Sequence, residues 1–135
     1  MYKNILVPIA ADHDPNTDAA LKVARALAGE GATITALTVV ETMPGYVASQ
    51  LPEGQFEKTM AAVTNGLKED LAGAGDVVIK VIEGHSARSI LEFAAKAKID
   101  CIVMASHRPD ISDYFLGSTA SRVVRHAQCA VHVLR

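Results

Sequence analysis

Two short polar segments carry most of this chain's chemical potential. The apolar run ending at Met104 opens into Ala105, Ser106, His107 and Arg108, and Gly117-Ser118-Thr119 then precedes a helix-like pattern. Backbone N–H groups left unpaired at a strand end and at a helix start favour an anion, so phosphate is the first ligand suggested. Gly117 permits close backbone approach, and Ser118 and Thr119 can donate to phosphate oxygens. A plainer reading stands beside this one. Gly-Ser-Thr is also a common turn and N-cap, and taken alone it would hold an anion roughly one time in four.

His107 reads as a ligand contact, a pH-sensitive group or a loop residue. No carboxylate spacing marks it as a general base, so contact is favoured over catalysis. Ser118 lacks a Gly-x-Ser-x-Gly elbow, and the chain has no Gly-x-x-x-x-Gly-Lys-Ser/Thr loop. No catalytic residue is therefore assigned, and the chain is expected not to be an enzyme, with slow turnover as the upper bound. His126 and His132 fit packing or an interface, and no His/Asp/Glu spacing recommends a metal site.

Those residues need a frame to bring them together. Five β-branched runs, Ile5–Ile9, Thr33–Val40, Val77–Ile82, Cys101–Met104 and Val131–Leu134, predict strands covered on both faces, hence a parallel sheet. Helical spacing separates them. It appears in Ala20, Val23, Ala24, Leu27 and Ala28 before Gly29 and Gly31, and in Phe56, Met60, Val63, Leu67 and Leu71 before Gly73 and Gly75. It recurs in Ile90, Phe93, Ala94 and Ala97 after Ser86 as candidate N-cap, and in Ala120, Val123, Val124 and Ala127. Pro44 and Gly45 place an exposed loop over residues 41–50. Right-handed crossovers make a doubly wound α/β sheet the simplest topology, with the first and fourth strands adjacent where the order reverses. Ligands of such sheets bind outside the carboxyl ends of the strands at that point. Ala10-Ala-Asp-His-Asp14, Ser106-His-Arg108 and Gly117-Ser-Thr119 then converge there.

At 135 residues and 50% apolar content, with a mean hydropathy of +0.20, the chain suits one domain spanning residues 1–135. A formal charge of -2 gives no basic field for nucleic acid, so no nucleic-acid partner is expected. No segment reaches membrane-spanning length and the first residues carry no export signal, which makes the default location cytoplasmic, with no membrane partner. Cys101 and Cys129 lie beside Val/Ile-rich runs and read as core thiols.

Taken together, Lys3–Ile9, Ala36–Glu41, Glu83–Ser86, Ala105–Ser118 and Val123–Ala127 resemble the universal stress protein A family over essentially the whole chain. The similarity is greatest to its small, single-domain F-like branch. The resemblance implies a Rossmann-like, adenine nucleotide alpha hydrolase-like fold with strand order 3-2-1-4-5 and helices on both faces. It implies an adenine nucleotide as ligand, ATP first, with Mg2+ as a companion of the phosphates. Carried over by position, Pro8 would pack under the base, the Val39 backbone would meet the adenine edge, and Ala105, Ser106, His107 and Arg108 would wrap the ribose and phosphates. Gly117, Ser118 and Thr119 would face the phosphates, with Arg108 adding a charged planar donor fork.

Two departures stand out. Ala105 and Arg108 replace the two glycines of the nucleotide-binding pattern, with eight residues, Pro109 to Leu116, before Gly117. Ala10 replaces an aspartate that holds the nucleoside, leaving Asp12 or Asp14 as the nearest carboxylates. The resemblance also implies a homodimer through the final strand, Ala130 to Leu134, and a role as a stress-response sensor or regulator. The alternative is a dimeric interaction protein of the same fold that binds no nucleotide.

Overall fold

Ile5, Leu6 and Val7 are all fully buried, as a strand covered on both faces requires. The computed structural model describes residues 1–10, 17–105 and 117–135. Its elements run β1 (Tyr2–Pro8), α1 (Thr17–Leu27), β2 (Ala28–Glu41), α2 (Gly45–Ala48), α3 (Gln55–Asp70), β3 (Val77–Gly84), α4 (Ser86–Lys96), β4 (Cys101–Ala105), α5 (Ser118–His126) and β5 (Ala130–Leu134). The five strands form one sheet in the order β3-β2-β1-β4-β5, with every pair parallel. The Rossmann-like order 3-2-1-4-5 expected from the sequence is the order observed.

Strand alternation divides the core in two. Ile5, Val7, Ile34, Ala36, Cys101 and Val103 pack with Ala20, Leu21 and Ala24 of α1 and Leu67 of α3. Leu6, Leu37, Ile102 and Met104 face the other way, onto Ala87, Ile90 and Ala94 of α4 and Ala120 and Val123 of α5. Each buried aliphatic side chain contributes about 1.5–3 kcal/mol, so this two-sided burial is the main force holding the strand ends in place.

Local details differ from the sequence reading for identifiable reasons. Ala28 leaves the helix and pairs with Tyr2, while the next register pair is Asn4 with Thr33. Residues 29–32 therefore form a bulge rather than a helix stop, and Gly31 supplies its positive φ of 73°. The expected loop at 41–50 contains the four-residue α2, none of whose residues is buried. Val124, expected on the inner stripe of α5, is 44% exposed.

At the amino end of the sheet, the Asp100 carboxylate accepts from the Lys3 N–H (2.8 Å) and the Asn4 N–H (3.0 Å). The Asn4 side chain in turn donates to the Ala97 carbonyl at 2.6 Å. α4 ends in a two-bond Schellman turn, Ile99 N–H to Ala94 O (2.9 Å) and Lys98 N–H to Ala95 O (3.4 Å), with Lys98 at the left-handed position (φ 55°).

Candidate functional site

The order reverses between β1 and β4, and there the two strands part. Their pairing covers Ile5 with Cys101 and Leu6 with Ile102 and goes no further. Pro8 explains part of this. Ile9 donates to the Leu37 carbonyl of β2 at 2.8 Å, so the alternate residue Pro8 faces β4, and proline has no N–H to offer it. Among the described residues the carboxyl ends of β1 and β4 are thus unpaired with each other, at the switch point where doubly wound sheets bind ligands.

Of the residues expected to line it, Pro8 ends β1 half-buried, and Ala10 follows, exposed. Val39 lies near the carboxyl end of β2, half-buried and in register with Ile82 of β3. Ala105 closes β4, half-buried. Gly117 is the N-cap of α5, and Ser118 (exposed) and Thr119 (half-buried) form its first turn. The topology brings these six residues and Ala10 to one end of the sheet. Asp12, Ser106, His107 and Arg108, with Asp14, lie outside the described residues.

Gly117 has φ -58° and ψ 154°, which any residue adopts, so the helix start does not itself demand glycine. Ser121 N–H donates to the Gly117 carbonyl at 2.8 Å. The N–H groups of the first turn of α5 have no partner within the helix and point toward the same end as the strand termini. An anion placed there would gain from these donors and from the Ser118 hydroxyl.

One neighbouring feature escaped the sequence reading. Ser86 is not the N-cap of α4. His85 holds that position with extended dihedrals, and Ser86 is the first helical residue. Instead, the Glu41 carboxylate at the end of β2 accepts from both the Ser86 hydroxyl and the Ser86 N–H, the latter at 3.2 Å. His85 Nδ1 lies 3.8 Å from the other carboxylate oxygen. The Ser86 hydrogen bonds, followed by the His85 charge, hold the Glu41 carboxyl below the usual glutamate range. A carboxylate of the chain itself thus already occupies the helix start on the β2–β3 side, whereas α5 presents neutral hydroxyls. Only a glutamate followed 45 residues later by the serine of Gly-His-Ser could have hinted at this contact.

The two cysteines are free thiols. Cys101 packs with the α1–α3 layer and Cys129 against the α4–α5 layer, on opposite faces of the sheet. Burial pushes the Cys101 thiol up to about 11, so it stays protonated and unreactive at neutral pH. Among the described residues no group of three His, Cys, Asp or Glu side chains is placed to hold a metal ion. No helix among them is long and apolar enough to cross a membrane.

Strand order and parallel pairing together define a doubly wound, Rossmann-like α/β domain with its switch point between β1 and β4. The family model described as "Universal stress protein family" matches residues 1–135, and the chain belongs to that family. Among curated relatives, a universal stress protein of Methanocaldococcus jannaschii is 31% identical, covering 100% of this chain and 83% of its own length. Universal stress protein G of Salmonella typhimurium is 28% identical, with both chains covered in full. Among solved structures, universal stress protein UspA from Lactobacillus plantarum is 27% identical with a TM-score of 0.77, covering 99% of this chain and 98% of that one. A universal stress protein solved in complex with cAMP shares the fold at a TM-score of 0.68 and 19% identity, covering 99% of this chain and 97% of that one.

Proposed function

We propose that this universal stress protein binds an adenine nucleotide, ATP foremost, at the β1–β4 switch point and acts as a stress-response sensor or regulator. The observation that carries the reading is that β1–β4 pairing ends at Leu6 and Ile102, at the end of the sheet where α5 begins. On this reading Gly117, Ser118 and Thr119 bind phosphate. Ala105 contacts the ribose together with Ser106, His107 and Arg108, and Val39 and Pro8 frame the base. Further support comes from a relative of the same fold having been solved with cAMP. Ser118, exposed on a nine-residue helix, is chemically suited to a phosphate oxygen. Mg2+ would accompany the phosphates, and turnover of ATP would be slow at most. The F-like branch, the cytoplasmic location and a homodimer through β5 belong to the same proposal.

A nucleotide that binds only the folded protein would stabilise it by about 2.7 kcal/mol at a hundredfold excess over its dissociation constant. A thermal-shift titration with ATP, AMP and inorganic phosphate reads this directly. The expected result is a shift with ATP that Ser118→Ala and Arg108→Ala weaken; no shift with any nucleotide removes the proposal. The exposed Ala10, which brings no carboxylate to the end of β1, favours a second reading as a dimeric interaction protein. Mass spectrometry of small molecules released by heating the purified protein separates the two.

A further inference from the structure

A groove of about 290 Å³ lies at the β2–β3 end of the sheet, bounded by the segment from Met43 to Glu57 and by Glu83 at the end of β3. None of its lining residues belongs to the proposed nucleotide site. Its walls are apolar, with Met43, Leu51, Pro52 and Phe56 all contributing. Its three charged lining residues, Glu53, Glu57 and Glu83, are all acidic and all exposed. Among the described residues none of them is in an ion pair, and no lysine or arginine lines the groove.

Two further facts point to an absent partner. α2, on one side of the groove, buries none of its four residues, and its Tyr46 is 73% exposed. A short helix with no buried residue contributes little to the fold, yet it carries an aromatic residue of the kind enriched at interfaces. The groove also lies at the ends of β2 and β3, on the side of the sheet away from β5, so pairing through β5 would leave it open. Its volume is at the lower limit for an enclosed small-molecule pocket, but it suits one or two side chains of a protein segment.

We infer that this groove docks a basic segment of a partner protein, with an aliphatic or aromatic anchor over Phe56 and Leu51 and arginine or lysine heads among the three glutamates. Long basic side chains bury their stems on apolar surface while the charged head meets a carboxylate, which matches the composition of the walls and rim. The inference is independent of nucleotide binding and stands or falls separately.

The probe is a fluorescein-labelled synthetic peptide of alternating leucine and arginine, read by polarisation against the full chain, with a glutamate-for-arginine peptide as its counterpart. The arginine peptide is expected to bind, more weakly as salt rises, and the glutamate peptide is not. The E53K/E57K/E83K variant should lose about tenfold or more in affinity, while Glu30→Lys on the exposed bulge leaves it unchanged. Leu51→Ser should weaken binding without altering the melting temperature appreciably, since Leu51 is only partly buried. Equal binding to the charge-reversed variant, or no binding to the wild-type chain, overturns the inference. Full competition by spermidine with no effect of Leu51→Ser also overturns it, assigning the groove to small polycations.

Discussion

Thr38 offers a direct test of the packing described above. It is 1% exposed, on β2 one residue before Val39, and in register with Val81 of β3. Its hydroxyl has no hydrogen-bond partner among the described residues. Alternation with Ile34 and Ala36 turns its side chain toward the α1–α3 layer. In the unfolded chain the same hydroxyl is hydrated, so folding strips its water without replacement. Leaving such a group unsatisfied costs about 1–3 kcal/mol. Thr38→Val keeps the branched shape and the strand preference and removes the stranded oxygen.

The variant is expected to be more stable by about 1–2 kcal/mol, the lower part of that range, because the extra methyl needs a small adjustment of its neighbours. For a domain of this length 1 kcal/mol corresponds to about 3–5 °C, so the melting temperature should rise by about 3–10 °C. Thr38→Ser is the control. It keeps the hydroxyl, deletes a methyl, and should lose about 1 kcal/mol. Urea unfolding followed by circular dichroism measures both, with the slope unchanged if the two-state description holds. A Thr38→Val protein no more stable than the parent would show that the hydroxyl is satisfied, and the reasoning would fail.

Three further outcomes follow from the geometry. Gly84 has φ 158° and ends β3 against Ser89, where an added Cβ would overlap the Ser89 hydroxyl, so Gly84→Ala should destabilise by about 1–3 kcal/mol; thermal melts should show Ser89→Ala recovering part of that loss in the double variant. Lys98→Gly relieves the left-handed strain of the α4 turn at some cost in chain entropy and should gain about 0.5–1 kcal/mol, and an unchanged or lower midpoint in urea would count against that account. The Glu41 carboxyl titrates lower in the folded protein than in the unfolded chain. Its contribution is therefore present above the ordinary glutamate range and lost as pH falls through the lowered folded value. Because the side chain is 62% exposed the effect is small, and Glu41→Gln should flatten a small acid-side decline in melting temperature.

Period and residue type carry the architecture. Ile5–Ile9, Thr33–Val40 and Cys101–Met104 read as doubly covered strands because both faces of a central parallel strand must be apolar, and that requirement is local in sequence. Right-handed crossovers lead to a doubly wound sheet with the first and fourth strands adjacent, whereas the full order β3-β2-β1-β4-β5 was implied by the family resemblance, since handedness alone allows other orders. Helix ends were less legible. Ser86 has the right chemistry for an N-cap, but position in a cap depends on backbone dihedrals, and those place His85 there instead.

What tertiary structure alone decided are contacts between residues far apart in the chain. The Glu41 carboxylate on Ser86, the Asp100 carboxylate on Lys3 and Asn4, and the near-contact of Gly84 with Ser89 leave no periodic trace, because each depends on where two elements stop against each other. The loss of β1–β4 pairing beyond Leu6 is intermediate. Pro8 announces a missing donor in the sequence, but only the bond from Ile9 to Leu37 shows that the missing donor faces β4, where the pairing stops. The stranded hydroxyl of Thr38 is the clearest case of the second kind. Threonine in a strand is ordinary from sequence, and only packing reveals that nothing among the described residues answers it.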